Sequence, residues 1–454
     1  MGWDTYNAYG LAYNETTIRD NADRLVSLGF RDLGYDVVIF DDAMTERDRS
    51  ANGSLVENQE KFPSGLHALS DELHALSLKY GVYSSAGRFT CGSYPGSLGY
   101  EQQDARWWAD LGADYLKYDN CFNEGQAGTQ KLSYDRYGAM ANALNATGRN
   151  ITYSLCNWGD DKVWEWGCTI SNSARMSGDS NSFDQPSNGC PCDADEFYCQ
   201  KFPGYQCSVL NILGKASYIA GRSGPGFWID LDMLEVGNGG MTTAEYRTHF
   251  TMWSAIKSPL IMGNKLYDLS PEDYAILTNP AVIALNQDPG GSAIARRFVQ
   301  QVDTKDRWGV GEIQVWQGSL WQGDQVVVFL NAANETQGLD VPLWRIFGTP
   351  GNELSLRSWD MYDLWAENVT MLADVARQVL NGTLELGPKT QGYYNASRIS
   401  WREGLAANDT RLLGSFEGTV EAGGTVSAEV GAHDVKAWRF RLVGKNRLQK
   451  KDEL

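Results

Sequence analysis

Short apolar runs alternate with longer stretches in which apolar residues recur every three or four positions, and this alternation continues from Gly2 to about Pro289. The runs at 3–8, 36–42, 80–85, 113–119, 151–156, 173–176, 216–221 and 259–262 read as buried strands. Between them the spacing predicts amphipathic helices, as in the stripe Leu66, Leu69, Leu73, Leu76 and over 100–111, 134–144 and 279–286. Eight strands with helical connections predict an α/β fold, a (β/α)8 TIM barrel over residues 1–290. Beyond Asp288-Pro289 the period drops to two, at 311–316, 325–330 and 434–442, with Gly- and Asn-rich turns between. That pattern predicts a C-terminal antiparallel β-sandwich over 291–445, packed behind the barrel, followed by a tail at 446–454.

Composition narrows the classes. With 454 residues and 42% hydrophobic content the chain can bury a large core. A net charge of −18 argues against nucleic acid or an anionic membrane as a partner, and no apolar run approaches the ~18 residues of a membrane-spanning helix. Sixteen Trp and 22 Tyr suit the C–H faces of sugars as well as ordinary cores. Eight Cys accompany nine Asn-x-Ser/Thr sequons, at Asn14, Asn52, Asn145, Asn150, Asn334, Asn368, Asn381, Asn395 and Asn408. Together they point to a secreted glycoprotein with disulfides. The sequence opens directly on Gly2-Trp3 with no leader, which we read as a mature or trimmed form. It ends in Lys451-Asp-Glu-Leu454, an address that would retain it in the endoplasmic reticulum if native and exposed. The insertion at about 180–207 carries Cys190, Cys192, Cys199 and Cys207; two local disulfides are preferred to zinc, because paired Cys-x-x-Cys motifs with His are lacking.

Only four His occur, and neither His-Glu-x-x-His nor Gly-x-Ser-x-Gly is present, which disfavours a zinc enzyme or a His-dependent hydrolase. No cofactor and no metal is expected. Instead Asp recurs at strand ends, at 41, 42, 119, 179, 230 and 232. Paired carboxylates are what glycoside hydrolysis requires, one to attack or stabilise the anomeric carbon and one to protonate the leaving oxygen. Asp119, the candidate nucleophile, follows Lys117 by two residues, so both face one side of a strand.

The motifs Gly2-Trp3-Asp4-Thr5-Tyr6-Asn7-Ala8-Tyr9, Phe40-Asp41-Asp42, Lys117-Tyr118-Asp119-Asn120-Cys121, Arg175-Met176-Ser177-Gly178-Asp179, Asp230-Leu231-Asp232-Met233-Leu234 and Asn286-Gln287-Asp288-Pro289 occur in this order. With them the chain resembles glycoside hydrolase family 27, which contains α-galactosidases and α-N-acetylgalactosaminidases. The resemblance implies a retaining exo-α-galactosidase with Asp119 as nucleophile and Asp179 as acid/base. It implies Asp41 and Asp42 as acceptors for the 4- and 6-hydroxyls, Lys117 and Arg175 as sugar ligands, and Trp3 and Tyr83 as aromatic lining. Cys156 and Trp158 follow the fifth strand, where a bulky Trp should exclude a 2-acetamido group, and Asp232 supports the acid/base. Four disulfides are expected on this basis: Cys91–Cys121, Cys156–Cys168, Cys190–Cys207 and Cys192–Cys199. The family's usual Cys-Trp after the paired aspartates is Ala43-Met44 here, and the matching Cys is replaced near Leu11. The alternatives are an α-N-acetylgalactosaminidase, a β-L-arabinopyranosidase, or a catalytically silent galactose-binding barrel.

Overall fold

The computed structural model describes residues 1–183, 206–305, 309–349 and 351–444. In chain order its first strands are β1 (Gly2–Asp4), β2 (Val37–Ile39), β3 (Lys79–Ser85), β4 (Tyr115–Asp119), β5 (Thr152–Cys156), β6 (Ser173–Arg175), β7 (Asp179–Ser182), β8 (Gln206–Ser208), β9 (Trp228–Asp230) and β10 (Ile261–Met262). Eight of them make one parallel sheet, β10-β1-β2-β3-β4-β5-β6-β9, while β7 and β8 pair apart as a small ribbon. A parallel bridge between Leu234 and Met262 joins the chain just beyond β9 to β10, and the sheet closes into a barrel.

Strand alternation divides the barrel's two faces. Val38, Leu116 and Tyr118 belong to the large core under the helices. Val37, Ile39, Tyr115 and Ile261 form a small cluster of their own, as side chains inside the barrel do. Tyr115 therefore points with Lys117 and Asp119 along the lumen. The helices begin where polar caps predict: Asn14 with Thr17 starts Glu15–Ser27, Thr129 starts Gln130–Ala146, and Thr242 with Glu245 starts Thr243–Ile256. Helix Leu66–Ala75 buries Leu66, Leu69 and Leu73; Leu76 follows as its cap.

One strand needs correction. The run at 216–221 is not a strand: it is the end of helix Val209–Ile219, which Ser208 caps and which buries Val209, Ile212, Leu213 and Ala216 at helical spacing. The seventh barrel strand is Trp228–Asp230, too short for its period to stand out. The C-terminal part is the expected antiparallel β-sandwich, with helices inserted in it. Its strands are β11 (Ala295–Gln301), β12 (Glu312–Ser319), β13 (Gln325–Asn331), β14 (Gln337–Pro342), β15 (Trp359–Asp363), β16 (Ser415–Val420), β17 (Thr425–Val430) and β18 (Val435–Leu442). They form a six-stranded sheet, β11-β12-β13-β18-β15-β16, and a pair, β14-β17. Phe329, Val341, Trp359, Val426 and Phe440 fill the space between these sheets. Between β15 and β16, however, run the helices Ala373–Leu380 and Trp401–Ala406, whose Ala376, Val379 and Leu405 join the barrel's core instead.

Cys91 and Cys121 are bonded, with Cα atoms 5.2 Å apart. The expected Cys156–Cys168 bridge is absent, and both are free. Cys156 is buried at the end of β5, 3.7 Å from Arg175 Nη1, whereas Cys168 is exposed in the turn after helix Val163–Trp166. Cys207 is disulfide-bonded, but Cys190, Cys192 and Cys199 lie outside the described residues, as do the rest of 184–205 and the Lys451–Leu454 tail. Among the described residues no helix is long and apolar enough to cross a membrane.

Candidate active site

The C-terminal ends of the barrel strands surround a small cavity lined by Tyr6, Asp41, Tyr83, Cys91, Lys117, Asp119, Cys156, Trp158, Arg175, Asp179 and Met233. Asp119, the last residue of β4, is buried and hydrogen-bonded through both oxygens. Tyr83 Oη donates to its Oδ2 at 2.8 Å and Asn120 N donates to its Oδ1 at 2.8 Å. Burial pushes its pKa above the ordinary carboxylate value, while Lys117 and the Tyr83 hydroxyl pull it back. The Asp179 charge adds a smaller upward push, so the two carboxylates share one electrostatic environment.

Lys117 Nζ contacts Asp41 Oδ2 at 2.7 Å and Asp4 Oδ2 at 3.2 Å. Burial alone would lower its pKa, but these two carboxylates outweigh burial and hold it well above the usual lysine range. Asp4 moves the other way: burial, then Asp41, raises it. Lys117 is thus a permanent cation that neutralises the floor beneath Asp119. Across the cavity Arg175 binds Asp179 Oδ1 through Nη2 at 2.9 Å and Asp232 Oδ1 through Nη1 at 2.6 Å. Asp232 in turn accepts from Ser180 N at 2.7 Å, tying the ribbon that carries Asp179 to the barrel. The Asp179 side chain keeps 28% exposure, against 4% for Arg175 and 2% for Asp232, so of the three it is the one open to a ligand.

Asp42 does not line the cavity. Its Oδ1 accepts from Thr90 Oγ1 and Ala43 N, its Oδ2 from Gly92 N at 2.6 Å, and burial lifts its pKa to about 6. Asp232 lines an adjoining space inside the barrel, with Asp4 and Asp230. Trp3 corrects the expected aromatic lining: it is 0% exposed, and its Nε1 donates to Asn264 O at 2.7 Å. Tyr6, three residues on in the same opening motif, reaches the cavity instead, because the chain turns into a short helix, Tyr6–Tyr9, as soon as β1 ends. Among the described residues one group of metal-ligand types converges, Cys91, Asp119 and Cys121, but its two sulfurs are bonded to each other and leave one carboxylate. A wider hollow between Met1, Lys79, Trp228 and Asp288 sits at the opposite, N-terminal end of the strands, away from the carboxylate pair.

Comparison with known proteins decides the family. The family profile described as alpha galactosidase A matches residues 7–288, and that of the alpha galactosidase C-terminal beta sandwich domain matches 310–389. The α-galactosidase of Zygotorulaspora mrakii is 46% identical over 445 residues, which cover 97% of this chain and 93% of that one. The chain belongs to the α-galactosidase family. Among solved structures, the α-galactosidase of Saccharomyces cerevisiae with raffinose superposes with a TM-score of 0.92 at 43% identity, covering 97% of each chain. α-Galactosidase I of Mortierella vinacea gives 0.79 at 40% identity, over 97% of this chain and 96% of the other. In this member of the family, Met233 is a further lining residue that reading the sequence missed. It stands one position beyond Asp232, inside a motif already quoted, where an apolar residue gives no chemical signal.

Proposed function

We propose that the chain is a retaining exo-α-galactosidase that removes terminal α-linked galactose from oligosaccharides or glycoconjugates. The observation that carries this reading is Asp119 and Asp179 facing one small cavity, one buried and accepting hydrogen bonds on both oxygens, the other accessible beside Arg175. In the first step an Asp119 oxygen attacks the anomeric carbon while Asp179 gives its proton to the departing glycosidic oxygen. The sugar is left esterified to Asp119 and the aglycone departs as an alcohol. In the second step Asp179 takes a proton from water, whose oxygen displaces Asp119 and releases galactose with its original α configuration. Lys117 and the Tyr83 hydroxyl keep Asp119 ionised, and Arg175 orients Asp179. Trp158 walls the sugar's 2-position and favours galactose over its 2-acetamido analogue.

Residues 1–290 then carry catalysis, with 291–445 as a structural partner. The bridged Cys91–Cys121 and Cys207, with the sequons, support a secretory-pathway enzyme. Glycans suit exposed asparagines such as Asn14, Asn52 and Asn145. Asn395 is a poor acceptor, since its Nδ2 donates to Asp32 Oδ2 at 2.8 Å and to Tyr393 Oη at 3.1 Å.

A panel of p-nitrophenyl glycosides tests the reading. The α-galactoside should be cleaved fastest, with α-galactose as first product by NMR, and Asp119→Asn should abolish turnover with the fold intact. An Asp119→Asn enzyme within about tenfold of wild type, roughly 1.4 kcal/mol in the barrier, would overturn the assignment.

A further inference from the structure

Trp158 is held in an unusual way. It has φ 60°, Gly159 follows at 85°, and Asp161 and Lys162 lie at 51° and 53°. Left-handed backbone is costly for a bulky residue and persists only where the surroundings over-determine it. Three anchors do so here. A Cβ on Gly159 would lie 2.2 Å from Met176 O, so the loop rests directly on the backbone beyond Arg175. Asp161 Oδ2 accepts from Ser133 Oγ at 2.6 Å and Gly128 N at 3.0 Å. Asp160 Oδ2 accepts from Asn120 Nδ2 at 2.9 Å, and Asn120 Oδ1 accepts from Arg136 Nη2 at 2.6 Å. Arg136 is itself buried and donates to Ala86 O at 2.7 Å.

The third anchor differs from the others in where it leads. Asn120 directly follows Asp119, so a chain from Arg136 through Asn120 to Asp160 fixes the Trp158 loop to the strand end that carries the proposed nucleophile. The Gly159 contact fixes the same loop to the strand end that carries Arg175. Trp158 is thereby registered against both sides of the cavity it lines.

We propose that Asp160 is a specificity-determining positioning residue. Through Asn120 and Arg136 it holds Trp158 as a wall that admits a 2-hydroxyl and turns away a larger substituent on the same carbon. This rests on the reading of the cavity as an α-galactoside site with Trp158 beside the 2-position. Asp160 itself touches no substrate; it acts by removing freedom from Trp158, and what it needs is an acceptor oxygen facing Asn120, not a charge.

The test compares kcat/KM for p-nitrophenyl α-galactoside and p-nitrophenyl α-N-acetylgalactosaminide in wild type, Asp160→Ala and Asp160→Asn. Asp160→Ala should erode the preference for the galactoside by about tenfold, on the scale at which a loosened pocket loses discrimination, through a higher galactoside KM and a gain on the acetamido sugar. Asp160→Asn, which keeps an acceptor oxygen, should retain the wild-type ratio. Thermal melting of each variant confirms the fold, and Asp160→Ser, whose hydroxyl falls short of Asn120, repeats the measurement if the alanine form does not fold. An unchanged ratio in the Ala and Ser variants, equal losses on both substrates, or an Asn variant behaving like Ala would each overturn the proposal. Failure of the underlying reading looks different: the wild-type enzyme would not cleave the α-galactoside.

Discussion

At the scale of single residues, the environment of Asp119 decides whether it can act as a nucleophile. Burial favours its neutral acid, and the opposing contributions come from Lys117 and from the Tyr83 hydroxyl at 2.8 Å. An acid whose pKa is raised loses its charge at a higher pH, so the acidic limb of kcat/KM should lie above the ordinary carboxylate range. Tyr83→Phe removes a stabiliser of the anion and should move that limb further toward neutral. A hydrogen bond to a charged group contributes about 1.5–3 kcal/mol and one pH unit is about 1.4 kcal/mol, so a shift of about one unit or more is expected. A pH profile of the variant with an unmoved acidic limb would show that Tyr83 does not tune Asp119. These strand-end carboxylates were legible from the sequence because period two places Lys117 and Asp119 on one face. Trp3, placed in the lining by the family resemblance alone, occupies the middle of a three-residue strand, faces the core, and leaves the cavity to Tyr6 beyond the strand's end.

At the scale of elements, long periodic segments announced themselves and short ones did not. The helices at Leu66–Ala75 and Gln130–Ala146 have stripes or caps in the sequence, whereas the three residues of β9 carry no period and the apolar end of helix Val209–Ile219 imitated a strand. A missing covalent link shows how neighbouring loops are joined by other means. Where the family resemblance leads one to expect a disulfide between the regions of Leu11 and Ala43, Lys61 Nζ donates to Leu11 O at 2.5 Å and lies 3.4 Å from Ala43 O. The ammonium also sits 5.5 Å from the Tyr13 ring. Burial lowers the Lys61 pKa, yet its two carbonyl partners accept only from a donor, so removing the head group leaves both without it. Lys61→Met, which keeps the stem, should cost about 1–2 kcal/mol in urea unfolding and loosen the loop beside Asp42. Unchanged stability with unchanged proteolysis at residues 43–61 would show that this contact does not replace the link.

At the scale of the whole molecule, the Asn286-Gln287-Asp288-Pro289 motif works at a junction far from the catalytic end. Asp288 Oδ1 accepts from Gly290 N at 2.9 Å and from Trp321 N at 2.7 Å, which ties the barrel's last helix to the turn before β13. Its Oδ2 lies 3.5 Å from Arg439 Nη2, and Arg439 Nη1 donates to Asp324 Oδ2 at 3.3 Å. Arg441 Nε reaches the same Asp324 oxygen at 3.2 Å. Arg439 is 1% exposed, so its guanidinium has almost no water to replace a lost partner. Removing one member of a buried ion cluster typically costs about 3–5 kcal/mol, because an uncompensated charge stays behind, whereas replacing the charge by an apolar side chain of similar size is often close to neutral. Asp324→Ala leaves both Arg439 and Arg441 short of an anion and should be strongly destabilising. Arg439→Met leaves Asp324 with Arg441 and Asp288 with its two backbone donors, and should cost much less. The first variant should also separate sandwich from barrel, giving two thermal transitions and early proteolytic release of the C-terminal part. If instead Arg439→Met proved the more damaging of the two in calorimetry, the cluster would owe its strength to guanidinium packing and not to charge compensation.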